Sequence, residues 1–247
     1  MSRTALVTGA GRRIGAVIAA ELARAGFDVA IHYGRSRDEA EAVAETVEGC
    51  GRRAAMIDCD LAREAEVERL VDRAVDAIGP LEVLVNNASV FLEDAWDADD
   101  RTAWDAHMEI NLRAPLVLAR AFAAQAKGPA SIVNIVDQRV LKPTPEFFSY
   151  SVSKAALWFA TRTLAQALAP NIRVNAVGPG PTLASIHQTP EAFAAEAAGV
   201  LLQRRSTPEE IAKAVLYLVD ATSVTGQMIA VDAGQHLGWR TPDVHKS

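Results

Sequence analysis

The chain has 247 residues, half of them apolar, which suffices for one large α/β domain or two small ones with a sizeable core. Its net charge of −6 and pI near 5.4 argue against nucleic acid or an anionic membrane as partner. No run approaches ~18 uninterrupted apolar residues, the first apolar run is too short for a signal peptide, and Cys50 and Cys59 form neither a disulfide framework nor a metal-ligand spacing. The expectation is a cytoplasmic protein with reduced thiols and no metal. The five histidines are scattered, and none is assigned a role of its own in the chemistry.

Short β-branched runs lie at 4–8, 29–33, 54–58, 83–86, 131–136, 172–176 and 228–231. Ala-rich amphipathic stretches fall between them, at 14–25, 38–48, 64–78, 99–127, 149–168 and 208–220. Strict β-α alternation predicts a parallel sheet with helices on both faces. Without linker, repeat or low-complexity segment, 1–247 reads as a single domain. The Pro-marked piece at 178–190 is the longest irregular one. Its place after a strand end makes the region of about 178–200 the candidate substrate loop.

The first strand leads into Thr8-Gly-Ala-Gly-Arg-Arg-Ile-Gly15 and then a helix. Glycines there let backbone approach a pyrophosphate, to which a helix N-terminus offers free N–H groups. A merely tight βα turn is the alternative. An acid that would grip a ribose 2′-OH usually stands at the end of the second strand. Here that strand ends His32-Tyr33-Gly34-Arg35-Ser36, with no acid before Asp38. Arg35 offers a planar fork suited to phosphate, Ser36 a hydroxyl, and Arg13 a second guanidinium. Two arginines and no acid favour NADP over NAD.

Pro115 follows Asn111 by four residues inside the stretch at 99–127. Proline has no N–H for the Asn111 carbonyl, so a kink and a free carbonyl aimed at Lys154 are expected. Tyr150 and Lys154 stand four apart, on one helix face. An ammonium beside the phenol would lower its pKa from about 10 and make it a proton donor near neutral pH. Asp137, thirteen residues before Tyr150, follows an apolar run and should sit at the carboxyl end of a strand.

Together, Thr8-Gly9-x-x-x-x-x-Gly15, Asn86-Asn87-Ala88, Asn111, Tyr150-x-x-x-Lys154 and Gly178-Pro179-Gly180 resemble the short-chain dehydrogenase/reductases, in order and spacing, from residue 4 to about 239. That resemblance implies a Rossmann-type doubly wound parallel seven-stranded sheet, a nicotinamide cofactor and a homotetramer. Two positions depart from the common pattern: Arg13 replaces a glycine, and Asp137 replaces the usual catalytic serine. Both departures occur in one branch, the pteridine reductases and related dihydromonapterin or dihydrofolate reductases. His32-Tyr33-x-Arg35-Ser36 and Asn87-Ala88-Ser89-x-Phe91 extend the likeness to that branch.

The branch implies NADPH held by Gly9, Arg12, Arg13, Ile14, Gly15, His32, Tyr33, Arg35, Ser36, Asp60, Leu61, Asn87, Ala88, Ser89, Tyr150, Lys154, Pro179 and Gly180, with Asn86 also running past it. Asp60 could instead cap the helix near Arg63. Catalysis would fall to Asp137, Tyr150, Lys154 and Asn111. A pterin- or folate-like substrate would meet Ser89, Phe91, Asp137, Tyr150 and Pro181, with Phe91 sandwiching a flat heterocycle against the nicotinamide. A carboxylate at 137 would repel a developing oxyanion unless protonated, whereas reduction of a C=N bond leaves a nitrogen needing a proton. An NADP-dependent carbonyl reductase or alcohol dehydrogenase is the alternative, and a non-catalytic NADP sensor a lesser one.

Overall fold

The computed structural model describes residues 3–239. Its seven strands are β1 (Arg3–Val7), β2 (Phe27–Tyr33), β3 (Ala54–Asp58), β4 (Val83–Asn86), β5 (Ala130–Ile135), β6 (Ile172–Pro179) and β7 (Met228–Val231). They form one sheet in the order β3-β2-β1-β4-β5-β6-β7, parallel at every pairing. The helices are α1 (Arg13–Arg24), α2 (Arg37–Gly49), α3 (Glu64–Ile78), α4 (Thr102–Ala106), α5 (Ala114–Gln125), α6 (Phe148–Leu168), α7 (Pro190–Gly199) and α8 (Pro208–Asp220). The doubly wound α/β architecture agrees with the sequence.

The strands are apolar on both faces because both are covered. Alternate side chains part the core in two. Val7, Ile31, Val85, Val133 and Val177 pack against Ile18 and Leu22 of α1 and Ile211 and Val215 of α8. Leu6, Ala30, Leu84, Ile132 and Val174 pack against Leu70 of α3 and Leu118 and Phe122 of α5. At ~1.5–3 kcal/mol for each fully buried large aliphatic or Phe side chain, these layers fix which strand ends lie beside one another. Among the described residues no helix is long and apolar enough to cross a membrane.

Three elements differ from expectation. The stretch read as one helix at 99–127 starts at Thr102 and passes through a π-helix, His107–Arg113, before α5. Pro115 follows directly on the π-helix, with Arg113 and Ala114 helical before it, so its missing N–H falls where the widened turn rejoins the α-helix. The strand read at 172–176 runs on to Pro179, because Gly178 and Pro179 pair with Ala230 and Val231 of β7. Within the candidate loop lies α7, capped by the Thr189 hydroxyl, which accepts from Ala192 N, with Pro190 at its first position. That proline read as loop punctuation, yet it starts a helix.

Candidate active site

The strand order reverses between β1 and β4, which opens a crevice at the carboxyl edge of the sheet. The glycine turn lines one side of it. Thr8 Oγ1 accepts from the backbone N–H of Asn87 (2.9 Å) and Ala88 (3.0 Å). In return the Asn87 amide donates to the carbonyls of Thr8 (2.8 Å) and Gly9 (3.2 Å). Gly9 has φ +62°, and a Cβ on Gly15 would lie 2.3 Å from Gly9 O and 2.4 Å from Asn87 Nδ2. Only glycine fits at 15. No side chain caps α1 at Arg12, so its first-turn N–H groups remain available to an anion.

The other sequence-predicted cofactor residues divide into two groups. Arg12 and Arg35 are exposed, and among the described residues their guanidinium groups form no ion pair. Ser36 Oγ lies beside Gly11, within 2.7 Å of where a Cβ would be. Others face inward. His32 is 2 % exposed: Nδ1 accepts from Gly9 N–H (3.0 Å), so Nε2 carries the proton and donates to Cys59 O (3.1 Å). Its ring is therefore a strut beneath the glycine turn, and burial pushes its pKa down. Tyr33 and Leu61 are buried, and the Asn86 amide donates across the sheet to Asn134 Oδ1 (2.8 Å). Asp60 does not cap α3, whose first turn follows Arg63; its carboxylate accepts from Ala62 N (3.0 Å) in the preceding turn. Arg13 donates to the carbonyls of Leu183 (3.2 Å) and Ala184 (3.1 Å), tying the glycine turn to the loop after β6.

Asp137 lies two residues past β5. Its Oδ1 accepts from Arg139 N (2.8 Å) and caps the 3-10 turn Gln138–Val140, while Oδ2 accepts from the Tyr150 hydroxyl (2.8 Å). Burial raises the Asp137 pKa, against the pull of Arg139 N–H and the phenol. Lys154 is 2 % exposed, donates to Ile135 O (2.9 Å) and lies 5.8 Å from the Tyr150 ring centroid. Burial lowers its pKa to about 8. The expected depression of the Tyr150 pKa does not occur. Burial first, and then the Asp137 carboxylate, raise it well above 10. Desolvation disfavours phenolate, and the nearest charged partner is an anion.

The Asn111 side chain stitches the β4 loop to the π-helix. Oδ1 accepts from Val90 N (2.9 Å) and Ser89 Oγ (3.1 Å), and Nδ2 donates to Val90 O (3.0 Å) and Ser153 Oγ (3.3 Å). Phe91 stacks on Phe147 with centroids 4.2 Å apart and sets its edge against Tyr150 at 4.7 Å. His187, from the loop after β6, donates to Phe91 O (3.2 Å) and borders both phenylalanines at 5.8 and 5.6 Å. Pro181 is buried, with its carbonyl accepting from Ser206 N (2.9 Å). Pro179 closes β6, and Gly180 stands so near Asp232 that a Cβ would be 2.5 Å from its Cβ.

Sequence reasoning passed over Phe147, His187 and His107. Two consecutive phenylalanines just before Tyr150 could have signalled the first. His107, four residues before Asn111, shares its helix face.

A family model described as enoyl-(acyl carrier protein) reductase matches residues 9–236. A short-chain type dehydrogenase/reductase of Picea abies is 34% identical over 251 residues, covering 94% of this chain and 92% of that protein. Among solved structures, FolM alternative dihydrofolate reductase 1 from Brucella canis, complexed with NADP, superposes with a TM-score of 0.94 at 49% identity, covering 98% of this chain and 97% of that one. A blue fluorescent protein from a metagenomic library, in complex with NADPH, gives 0.87 at 36% identity, covering 94% and 97%.

Proposed function

This chain belongs to the short-chain dehydrogenase/reductase family, and we propose that it is an NADPH-dependent reductase of a C=N bond in a pterin- or folate-like substrate. One observation carries the substrate class: a carboxylate, Asp137, receives the Tyr150 hydroxyl at 2.8 Å. Support for the cofactor comes from the glycine turn, the uncapped start of α1 and the guanidinium groups of Arg12 and Arg35, which form no ion pair among the described residues, together with the NADP held by the Brucella relative.

These residues suit a dinucleotide phosphate. The turn from Gly9 to Gly15 would take the pyrophosphate, and Arg35 with Ser36 the 2′-phosphate. When bound, the nicotinamide supplies the hydride. The chain itself supplies the proton. A phenol whose pKa is raised keeps its hydrogen at neutral pH, and a carboxyl whose pKa is raised takes one up more readily than an exposed aspartate. Tyr150 and Asp137 thus form a two-member donor for a ring nitrogen, with Asp137 or water restoring the phenol proton. Lys154, close by and cationic at neutral pH, would hold the ribose hydroxyls, and Asn111 positions the loop that carries Ser89 and Phe91. Phe147 already covers one side of Phe91, so a flat substrate would take the other.

The family also implies a cytoplasmic homotetramer. Phe159, 66 % exposed on α6, gives a second copy an apolar contact to cover, and light scattering tests it. Function is tested by NADPH oxidation against dihydrobiopterin, dihydromonapterin, dihydrofolate and a panel of ketones. Turnover of the dihydropterins or dihydrofolate is expected. Turnover of ketones alone would replace the assignment with a carbonyl reductase.

A further inference from the structure

His107 lies wholly inside the protein, on the π-helix, between the loop that carries Phe91 and the helix that carries Tyr150. Its Nε2 stands 3.1 Å from Leu92 N, and its Nδ1 2.6 Å from Ser149 Oγ. A backbone N–H can only donate, so Nε2 is the acceptor and the ring proton sits on Nδ1, which donates to the serine hydroxyl. One neutral tautomer satisfies both partners.

The helix that His107 holds lacks a cap of its own. Phe147, preceding α6, has φ +53° and makes no side-chain cap. The work is done from the 87–94 loop instead. Asp94 accepts from Ser149 N through both carboxylate oxygens (3.1 and 3.2 Å), and from Phe148 N through its carbonyl (3.3 Å). His107 adds the Ser149 hydroxyl and Leu92 N–H to that junction. Its ring stands edge-on to Tyr150 with centroids 5.8 Å apart.

We propose that His107 is a positioning residue for proton transfer, locking the first turn of α6, and so the Tyr150 hydroxyl, to the loop that presents Phe91 to the substrate. The claim rests on the proton-donor role proposed for Tyr150. Protonating the imidazole would turn a second N–H against Leu92 N–H and break the lock. The charged and titratable groups facing it are Asp94 from the loop, which favours the cation, and Lys154 and Tyr150 from α6; Lys154 opposes it. Burial is the largest influence and keeps the ring neutral.

The test compares wild type, His107→Phe and His107→Gln in the full-length protein. Phenylalanine keeps ring volume without either bond. Glutamine offers one donor and one acceptor and does not titrate. Turnover is counted per NADPH-binding site, alongside KM, NADPH affinity and amide hydrogen exchange. For His107→Phe we expect kcat to fall at least ~10-fold, since a misplacement of 1 Å can remove ~10²-fold. NADPH affinity should stay within about twofold, and exchange should quicken only around 92–94 and 148–151. Glutamine should restore most of kcat and the local protection, and flatten any fall in kcat below about pH 6.5, the ordinary histidine pKa. Unchanged kcat per NADPH site in the phenylalanine variant would overturn the proposal, as would global loss of protection or no rescue by glutamine. If wild type reduces only ketones, the substrate assignment fails and the same comparison is run on the ketone. If it reduces nothing, the exchange arm decides whether His107 makes the lock.

Discussion

The Tyr150 hydroxyl donates to Asp137 Oδ2 at 2.8 Å, so the proposed proton donor is hydrogen-bonded to an acid, where the family's common pattern has a serine. Asp137→Asn keeps an oxygen acceptor for Arg139 N but turns an NH2 donor towards the Tyr150 hydroxyl, and it cannot take up or release the proton. With general acid catalysis at ~10²–10⁴-fold, we expect kcat for a dihydropterin to fall within that range while NADPH affinity holds. Asp137→Ser should do likewise, whereas a ketone reductase would tolerate it. Steady-state kinetics with fluorescence titration of NADPH separates the two. Tyr150→Phe should lose as much; a smaller loss would make Asp137 the direct acid.

Lys154 is a buried cation whose charge costs stability. Its pKa falls from 10.5 to about 8 because burial penalises the cation. At ~1.4 kcal/mol per pKa unit, the cost at neutral pH is roughly 3 kcal/mol. The sign follows from proton counting. Between about pH 8 and 10.5 the unfolded chain binds more protons than the folded one, so this contribution to stability rises with pH. Below about pH 8 the full cost is present. Lys154→Met should therefore stabilise the protein by up to a few kcal/mol at pH 7 while abolishing turnover. The gap in urea unfolding free energy between variant and wild type should close towards pH 10.5. A gap independent of pH would contradict the burial cost.

Arg13 and Arg35 looked alike in the sequence and should behave differently. Arg35 is exposed and without an ion pair among the described residues, whereas Arg13 holds the carbonyls of Leu183 and Ala184. Arg35→Ala should weaken NADPH by about tenfold or more and leave NADH nearly unchanged, in line with the ~1.5–3 kcal/mol of a charge-assisted hydrogen bond. Arg13→Ala should chiefly raise the substrate KM by freeing the loop that carries His187. Equal weakening of NADPH and NADH by Arg35→Ala would remove the 2′-phosphate assignment.

Elements with one dominant cause were legible in the sequence. The alternation of apolar runs placed the seven strands, and the Tyr150–Lys154 spacing and the position of Asp137 put those three side chains together. What escaped depends on contacts distant in sequence. The π-helix at 107–113 carries Asn111 and His107, whose side chains bond the loop at 89–92 and α6 at 149–153. The start of α7 is the exception, a local signal passed over, since Thr189 caps the helix that Pro190 begins. The Tyr150 pKa rises because burial, and then the Asp137 carboxylate, outweigh the pull of Arg139, and burial is invisible to spacing alone.

His32 shows the same limit and yields a last expectation. Its Nδ1 accepts from Gly9 N–H, and its own carbonyl accepts from Ala10 N at 2.8 Å, so β2 grips the glycine turn twice. Protonation would set N–H against N–H at Gly9. Because the folded pKa lies below 6.5, the folded state binds fewer protons than the unfolded one as pH falls through 6.5. This contribution to stability is complete above 6.5, declines below it and is gone beneath the folded pKa. His32→Leu keeps the volume, loses the acceptor for Gly9 N–H and should leave that N–H without its partner, at ~1–3 kcal/mol. NADPH affinity should drop about tenfold while kcat at saturating NADPH changes little, since Tyr150 and Asp137 lie on other elements. Thermal unfolding of the variant should depend less on pH below 6.5 than that of wild type, by the part that His32 contributes. A variant that binds NADPH as wild type does would show that the glycine turn holds its shape without the imidazole.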